Sequence, residues 1–63
     1  MKKLVVRTGV KNNRRWCMLI LDLGYHRETL TFDKAVIARC LDMRLSEIET
    51  LTDGEHVIME RKE

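Results

Sequence analysis

A small α+β domain is the fold this sequence predicts. It has two layers: a three-stranded antiparallel meander, one or two short helices, and a final strand. Three observations carry that reading. Apolar residues alternate through the first third of the chain and fall into register about Asn12-Asn13. A second turn at Gly24-Tyr25 brings a third stretch onto the same face. A helical stripe headed by Asp33 and a closing apolar run follow.

The chain has 63 residues, enough for one domain, 1–63. A domain of this size buries only roughly 60% of the surface its unfolded chain exposes, so its core is marginal. The apolar fraction of 44% and charged fraction of 35% are those of a globular chain. The longest apolar stretch, Trp16 to Leu21, has strand length and falls far short of a membrane span of about 18 residues. Met1-Lys2-Lys3 precedes only three apolar residues before Arg7, too few for a secretory h-region. With two cysteines and no such signal, a reducing cytoplasm with free thiols is expected.

Asn tolerates positive φ, so Asn12-Asn13 predicts a two-residue hairpin turn. That turn sets Lys11 opposite Arg14, Gly9 opposite Trp16, Arg7 opposite Met18, Val5 opposite Ile20 and Lys3 opposite Asp22. A turn at Gly24-Tyr25 sets Leu19 opposite Leu30, Cys17 opposite Phe32, Leu21 opposite Glu28, and Asp22 opposite Arg27 as an ion pair. Leu4, Val6, Cys17, Leu19, Leu21, Leu30 and Phe32 then share one face, the predicted core.

Asp33 is a good N-cap. Val36, Ile37, Cys40 and Leu41 form one helical stripe that closes the core face. Ser46 to Glu49 matches a capping box and starts a short helix through Leu51. A turn at Thr52 to Glu55 leads to a last strand, His56 to Arg61, expected beside the first strand.

The opposite face carries Lys3, Val5, Arg7, Gly9 and Lys11 against Asp22, Ile20, Met18, Trp16 and Arg14, continued by Thr29 and Thr31. No helix is left to cover it. Trp16 is expected over Gly9, as aromatics lie over strand glycines, with Arg7 diagonal to it for a cation–π contact. A mixed apolar and cationic face of this kind marks an interaction surface. Charge points the same way. Residues 1–15 hold six bases and no acid, +6, whereas residues 16–63 hold six bases and ten acids, −4. Such asymmetry favours an anionic partner.

Other constellations are weaker. Ile37 to Leu51 has apolar spacing like a helix-turn-helix, but the would-be reading helix carries Glu47 and Glu49 and no base, which opposes approach to phosphates. Cys17, Cys40, His26 and His56 lack the close pairs that build zinc sites, and the two cysteines read as small buried residues that touch. No nucleophile–base pair or glycine-rich phosphate loop is visible, so neither an enzyme nor a cofactor is expected.

From Val5 to Asn13, Val-Val-Arg-Thr-Gly-Val-Lys-Asn-Asn, the chain resembles small uncharacterised accessory proteins encoded by phages and prophages of Gram-positive bacteria. The resemblance extends over the first two-thirds of the chain, through Phe32-Asp33 to Leu41. It implies a setting of small inhibitors of host defence, anti-CRISPR proteins among them, or of nucleic-acid-binding helpers.

The expected function is therefore a non-enzymatic binding module. It meets a polyanion, nucleic acid most simply, through Lys2, Lys3, Arg7, Lys11, Arg14, Arg15, Trp16 and Met18. The alternative is a protein–protein inhibitor or adaptor that docks an acidic protein surface with the same face. A homo-oligomer is expected, since small chains need such help: a dimer either doubles the basic hairpins of the binding module or, as the third reading, simply buries the face. Neutralising six phosphates implies a log–log salt slope of about −4 to −5.

Overall fold

The computed structural model describes residues 2–61. It contains strands β1 (Lys2–Lys11), β2 (Arg14–Asp22) and β3 (Arg27–Thr31), helices α1 (Lys34–Cys40) and α2 (Leu45–Glu49), and strand β4 (Gly54–Arg61). The α+β order is the expected one. One antiparallel sheet has the order β3-β2-β1-β4, so the last strand joins the free edge of the first.

Asn12 and Asn13 adopt φ of 53° and 62°. Two successive positive φ values define the turn whose twist matches a right-twisted ribbon. All nine β1–β2 pairs, from Lys3↔Asp22 to Lys11↔Arg14, fall in the register the turn imposes. Alanine in the left-handed region costs about 1–2 kcal/mol, while Asn-Gly is a favoured sequence here. Asn12→Ala should thus lower stability by about that amount, and Asn13→Gly should hold or raise it. Urea midpoints check the pair, and equal losses from both would contradict the turn.

Gly24 takes φ +91°, and Leu23 N–H donates to the His26 carbonyl at 2.9 Å. Asp22↔Arg27 and Leu21↔Glu28 pair as expected, but the register then shifts between Leu19 and Ile20, and Leu19 meets Thr31 instead of Leu30. This bulge corrects the predicted core. One extra residue in a strand sends everything after it to the other face. Leu30 is exposed and Phe32 is 64% exposed. A second bulge, between Leu4 and Val5, lies in the β1–β4 pairing. Both edge strands are thus irregular, which hinders edge-to-edge pairing with another sheet.

The core cluster is Val6, Cys17, Leu19, Ile37, Ala38 and Ile48, with Leu4, Leu41, Met43, Leu51 and Ile58 partly buried around it. Asp33 caps α1 through Oδ1, which accepts from Ala35 N–H at 2.9 Å and Val36 N–H at 3.4 Å. The buried stripe of α1 is rotated by one residue from expectation. Ile37 and Ala38 face the sheet, while Val36 and Cys40 are exposed. Both thiols are free, and because Cys17 is buried while Cys40 is exposed they do not form the expected buried pair.

Helix α1 is capped at Leu41, and the next residue, Asp42, takes φ 54°. Met43 N–H donates to the Ala38 carbonyl at 2.9 Å and Asp42 N–H to the Arg39 carbonyl at 3.4 Å. This pair of bonds satisfies helix-end carbonyls and turns the chain into α2. The N-cap of α2 is Arg44, two residues before the expected Ser46, and only half of a capping box forms there, since an arginine side chain cannot accept a hydrogen bond. The Glu47 carboxylate accepts from Arg44 N–H at 3.1 Å. Ser46 instead lends its carbonyl to the Thr50 hydroxyl at 2.9 Å. The link into β4 is tied down at Thr52, whose carbonyl accepts from the Thr8 hydroxyl at 2.9 Å and lies 2.6 Å from His56 Nε2.

Candidate functional site

Both helices pack on the Val6–Leu19 face, and among the described residues no helix covers the opposite one. Strand alternation places Lys3, Val5, Arg7, Gly9 and Lys11 there from β1, with Arg14, Trp16, Met18, Ile20 and Asp22 from β2. Its two ends differ.

The end nearest Gly24 is closed. Arg27 Nε donates to Asp22 Oδ2 at 3.1 Å. Its Nη1 and Nη2 donate to Glu55 Oε2 and Oε1 at 2.7 and 3.1 Å. Arg27 stands on β3 and Glu55 on β4, the two edges of the sheet. The pair therefore straps across β2 and β1. Between its ends lie Val5 and Ile20, 1% and 5% exposed. The Asp22–Arg27 pair was legible in the sequence, and Glu55 was not. This end also carries its own compensating acids.

The strap has a pH signature. Asp22 is held below the usual carboxylate range, first by the Gly24 N–H that donates to it and then by the Arg27 charge. Glu55 is held low first by its hydrogen bonds from Arg27. Carboxylates that deprotonate more easily in the folded chain stabilise it above their unfolded pKa. That contribution is lost as pH falls through the folded value. Stability should be level from pH 7 to about 5 and fall below about pH 4. Urea midpoints of the parent and Glu55→Gln at pH 7 and pH 3 check it. The variant should lose less on acidification, and an equal loss would deny the strap a role.

The end nearest Asn12 is open. β4 pairs no further than Thr8↔Gly54, and β3 no further than Leu19↔Thr31. Residues 9–18 therefore extend as a two-stranded arm. Arg7, Lys11, Asn12, Arg14, Trp16, Met18 and Phe32 line an open groove of about 800 Å³ on it. Trp16 lies over Gly9: a Cβ there would sit 2.5 Å from indole Cζ2 and 2.8 Å from Cε2. Only glycine lets the ring down onto the backbone. The Arg7 guanidinium carbon stands 6.0 Å from the ring centroid, at the outer range of cation–π attraction.

Gly9→Ala must lift the ring. Such overpacking costs about 1–3 kcal/mol. Trp16 is the sole tryptophan, so its emission reports the displacement directly. A red shift together with a lower urea midpoint is expected, and unchanged emission would refute the stacked geometry.

The structure divides the eight predicted binding residues. Arg7, Lys11, Arg14, Trp16 and Met18 share the groove. Lys3 is on the same face but at the acid-compensated end, opposite Asp22 and Glu60. Arg15 belongs to the helix-bearing face, opposite Val10, where its Nη1 donates to Asp53 Oδ1 at 3.4 Å. Lys2 is of that parity as well, at the far end of β1. Lys11 and Arg14 face each other across the turn, and neither makes an ion pair among the described residues.

Phe32 is the groove residue that the sequence reading put in the core. A signal for it existed. The Thr31 hydroxyl accepts from Asp33 N–H at 3.1 Å, a local turn that Thr-x-Asp encodes and that takes the chain out of the strand before Phe32.

Burial pushes the Cys17 thiol up, against nucleophilic use. Among the described residues no cluster of three His, Cys, Asp or Glu side chains is placed to hold a metal. Nor, among them, is any helix long and apolar enough to cross a membrane. Neither protein-family models, nor curated proteins, nor solved structures give a match to this chain.

Proposed function

We propose that this protein is a non-enzymatic binding module that holds a polyanion, nucleic acid most simply, in the Trp16 groove. One observation carries the reading: three cations, Arg7, Lys11 and Arg14, ring an apolar floor that no other element covers among the described residues. The like-charge pair at the hairpin tip is costly in the free protein and relieved by a bound anion. Among the described residues neither tip cation has an ion-pair partner, whereas Arg7 stands opposite Glu55 on β4. Resemblance of the first hairpin to phage-encoded accessory proteins agrees with a binding role.

Three groove cations replace the six phosphate contacts first expected. The log–log salt slope for a duplex then becomes about −3, and for a single strand about −2. Affinity should therefore fall roughly 15- to 60-fold between 50 and 200 mM salt. Fluorescence anisotropy with a labelled oligonucleotide measures this. Salt-independent binding, or none at 50 mM, refutes the proposal.

An inhibitor or adaptor docking an acidic protein surface is the second reading, favoured by Phe32, an exposed aromatic beside Trp16 and Arg7. Aromatic and arginine anchors dominate protein interfaces. It forecasts loss of the complex on Trp16→Ala, with Lys11→Ala and Arg14→Ala altering mainly the on-rate. A second copy seated on the face would show as a dimer by light scattering, and Trp16→Ala would dissociate it.

A further inference from the structure

We infer that the ligand is single-stranded nucleic acid, with unpaired bases stacked on Trp16 and Phe32. This rests on the polyanion reading and narrows it. The floor of the groove supplies the argument. A duplex turns phosphates and base edges outward and hides the flat faces of its bases. Trp16, Met18 and Phe32 would find little to touch there. An unpaired base offers a π-face to each aromatic, with its phosphate in reach of a cation, and stacking of this kind tolerates any sequence.

The geometry of the indole fits that role. Gly9 lets the ring lie against the sheet, and Trp16 stays partly exposed there. The Arg7 guanidinium carbon stands over the ring at 6.0 Å from its centroid, so a base that stacks on the indole meets or displaces that cation. Phe32 reaches the groove from the β3–α1 link and is exposed. Exposing so large an aromatic is otherwise unfavourable, and a base would cover it.

A two-stranded ribbon can also enter a duplex major groove. In that pose the tip, Lys11 to Arg14, meets the base edges. The aromatic floor then stays at the root of the arm, unused. The alternative helical reader, α2, carries Glu47 and Glu49 and no base.

The test compares a fluorescently labelled 12-nucleotide oligothymidine with a 12-base-pair duplex at 50 mM salt, by anisotropy and by indole emission. The single strand should bind at least tenfold more tightly and quench the indole at saturation. Phe32→Ala, at an exposed position that leaves the fold intact, should weaken it about 5- to 150-fold, the range for one stacked base. Trp16→Phe, which keeps a ring in place, should retain most of the affinity. Duplex binding as tight as single-strand binding, or saturation without quenching and without a Phe32→Ala effect, overturns this inference but leaves the polyanion reading standing. Binding to neither oligonucleotide overturns both.

Discussion

Replacing Ile37 by alanine should leave a large share of the molecules unfolded at 25 °C. Ile37 is 0% exposed and sits in the one cluster that joins α1 and α2 to β1 and β2. Truncating a buried isoleucine costs about 2–5 kcal/mol, because the lost contacts are compounded by a cavity. A 63-residue domain has a total stability of only about 3–9 kcal/mol. The two ranges overlap, so one side chain is worth much of the fold. Val36→Ala, on the same helix but 42% exposed, should cost less than about 1 kcal/mol. Urea denaturation of the two variants measures the helix rotation directly. Equal costs would mean that the stripe includes Val36 after all.

Reversing charge at the hairpin tip should have the largest effect on binding. Lys11→Glu with Arg14→Glu removes two of three groove cations and puts two carboxylates in their place. Like charge set against phosphate costs several kcal/mol, so oligonucleotide affinity at 50 mM salt should fall by at least about 100-fold. The salt slope should collapse from about −2 toward zero. Stability should stay within about 0.5 kcal/mol, because one exposed like-charge pair replaces another. Arg15→Glu is the control. Arg15 is as basic and next in sequence, yet on the other face, where its partner is Asp53. It should leave affinity within about threefold by long-range charge alone. If Arg15→Glu matched the double reversal, net charge rather than the groove would explain binding.

The first hairpin was the most legible part of the chain. A pair of asparagines and a strict alternation of two fixed nine strand pairs, because a turn with two positive φ values allows one register only. Trp16 over Gly9, Arg7 beside the indole, the Asp22–Arg27 pair and the Asp33 cap followed from the same rules; the edge taken by β4 did not, because neither turn fixes it.

What was not legible lay beyond the second turn. The bulge at Leu19/Ile20 carries no glycine and no other composition signal, yet it reverses the sense of every later residue in β3. Leu30 and Phe32 looked inward because alternation alone said so. Helix α1 was misread by one position for a related reason. Val36 and Ala38 flank Ile37, and hydrophobicity favours valine, yet the packed stripe takes Ala38 and leaves Val36 exposed. Arg15 was separable in principle, since its parity already put it opposite Val10. Summed charge over residues 1–15 concealed that division. The strap was beyond reach because its acid is 28 residues from its base.

Backbone amide shifts in a two-dimensional NMR titration with 12-nucleotide oligothymidine give the most direct trial of the central claim. The account predicts shifts at Arg7, Gly9, Lys11, Asn12, Arg14, Met18 and Phe32 and at the Trp16 indole N–H, with Ile37, Ile48 and Asp53 unmoved. Shifts concentrated on α1 and α2, or an indole N–H that stays in place while the oligonucleotide binds, would contradict it.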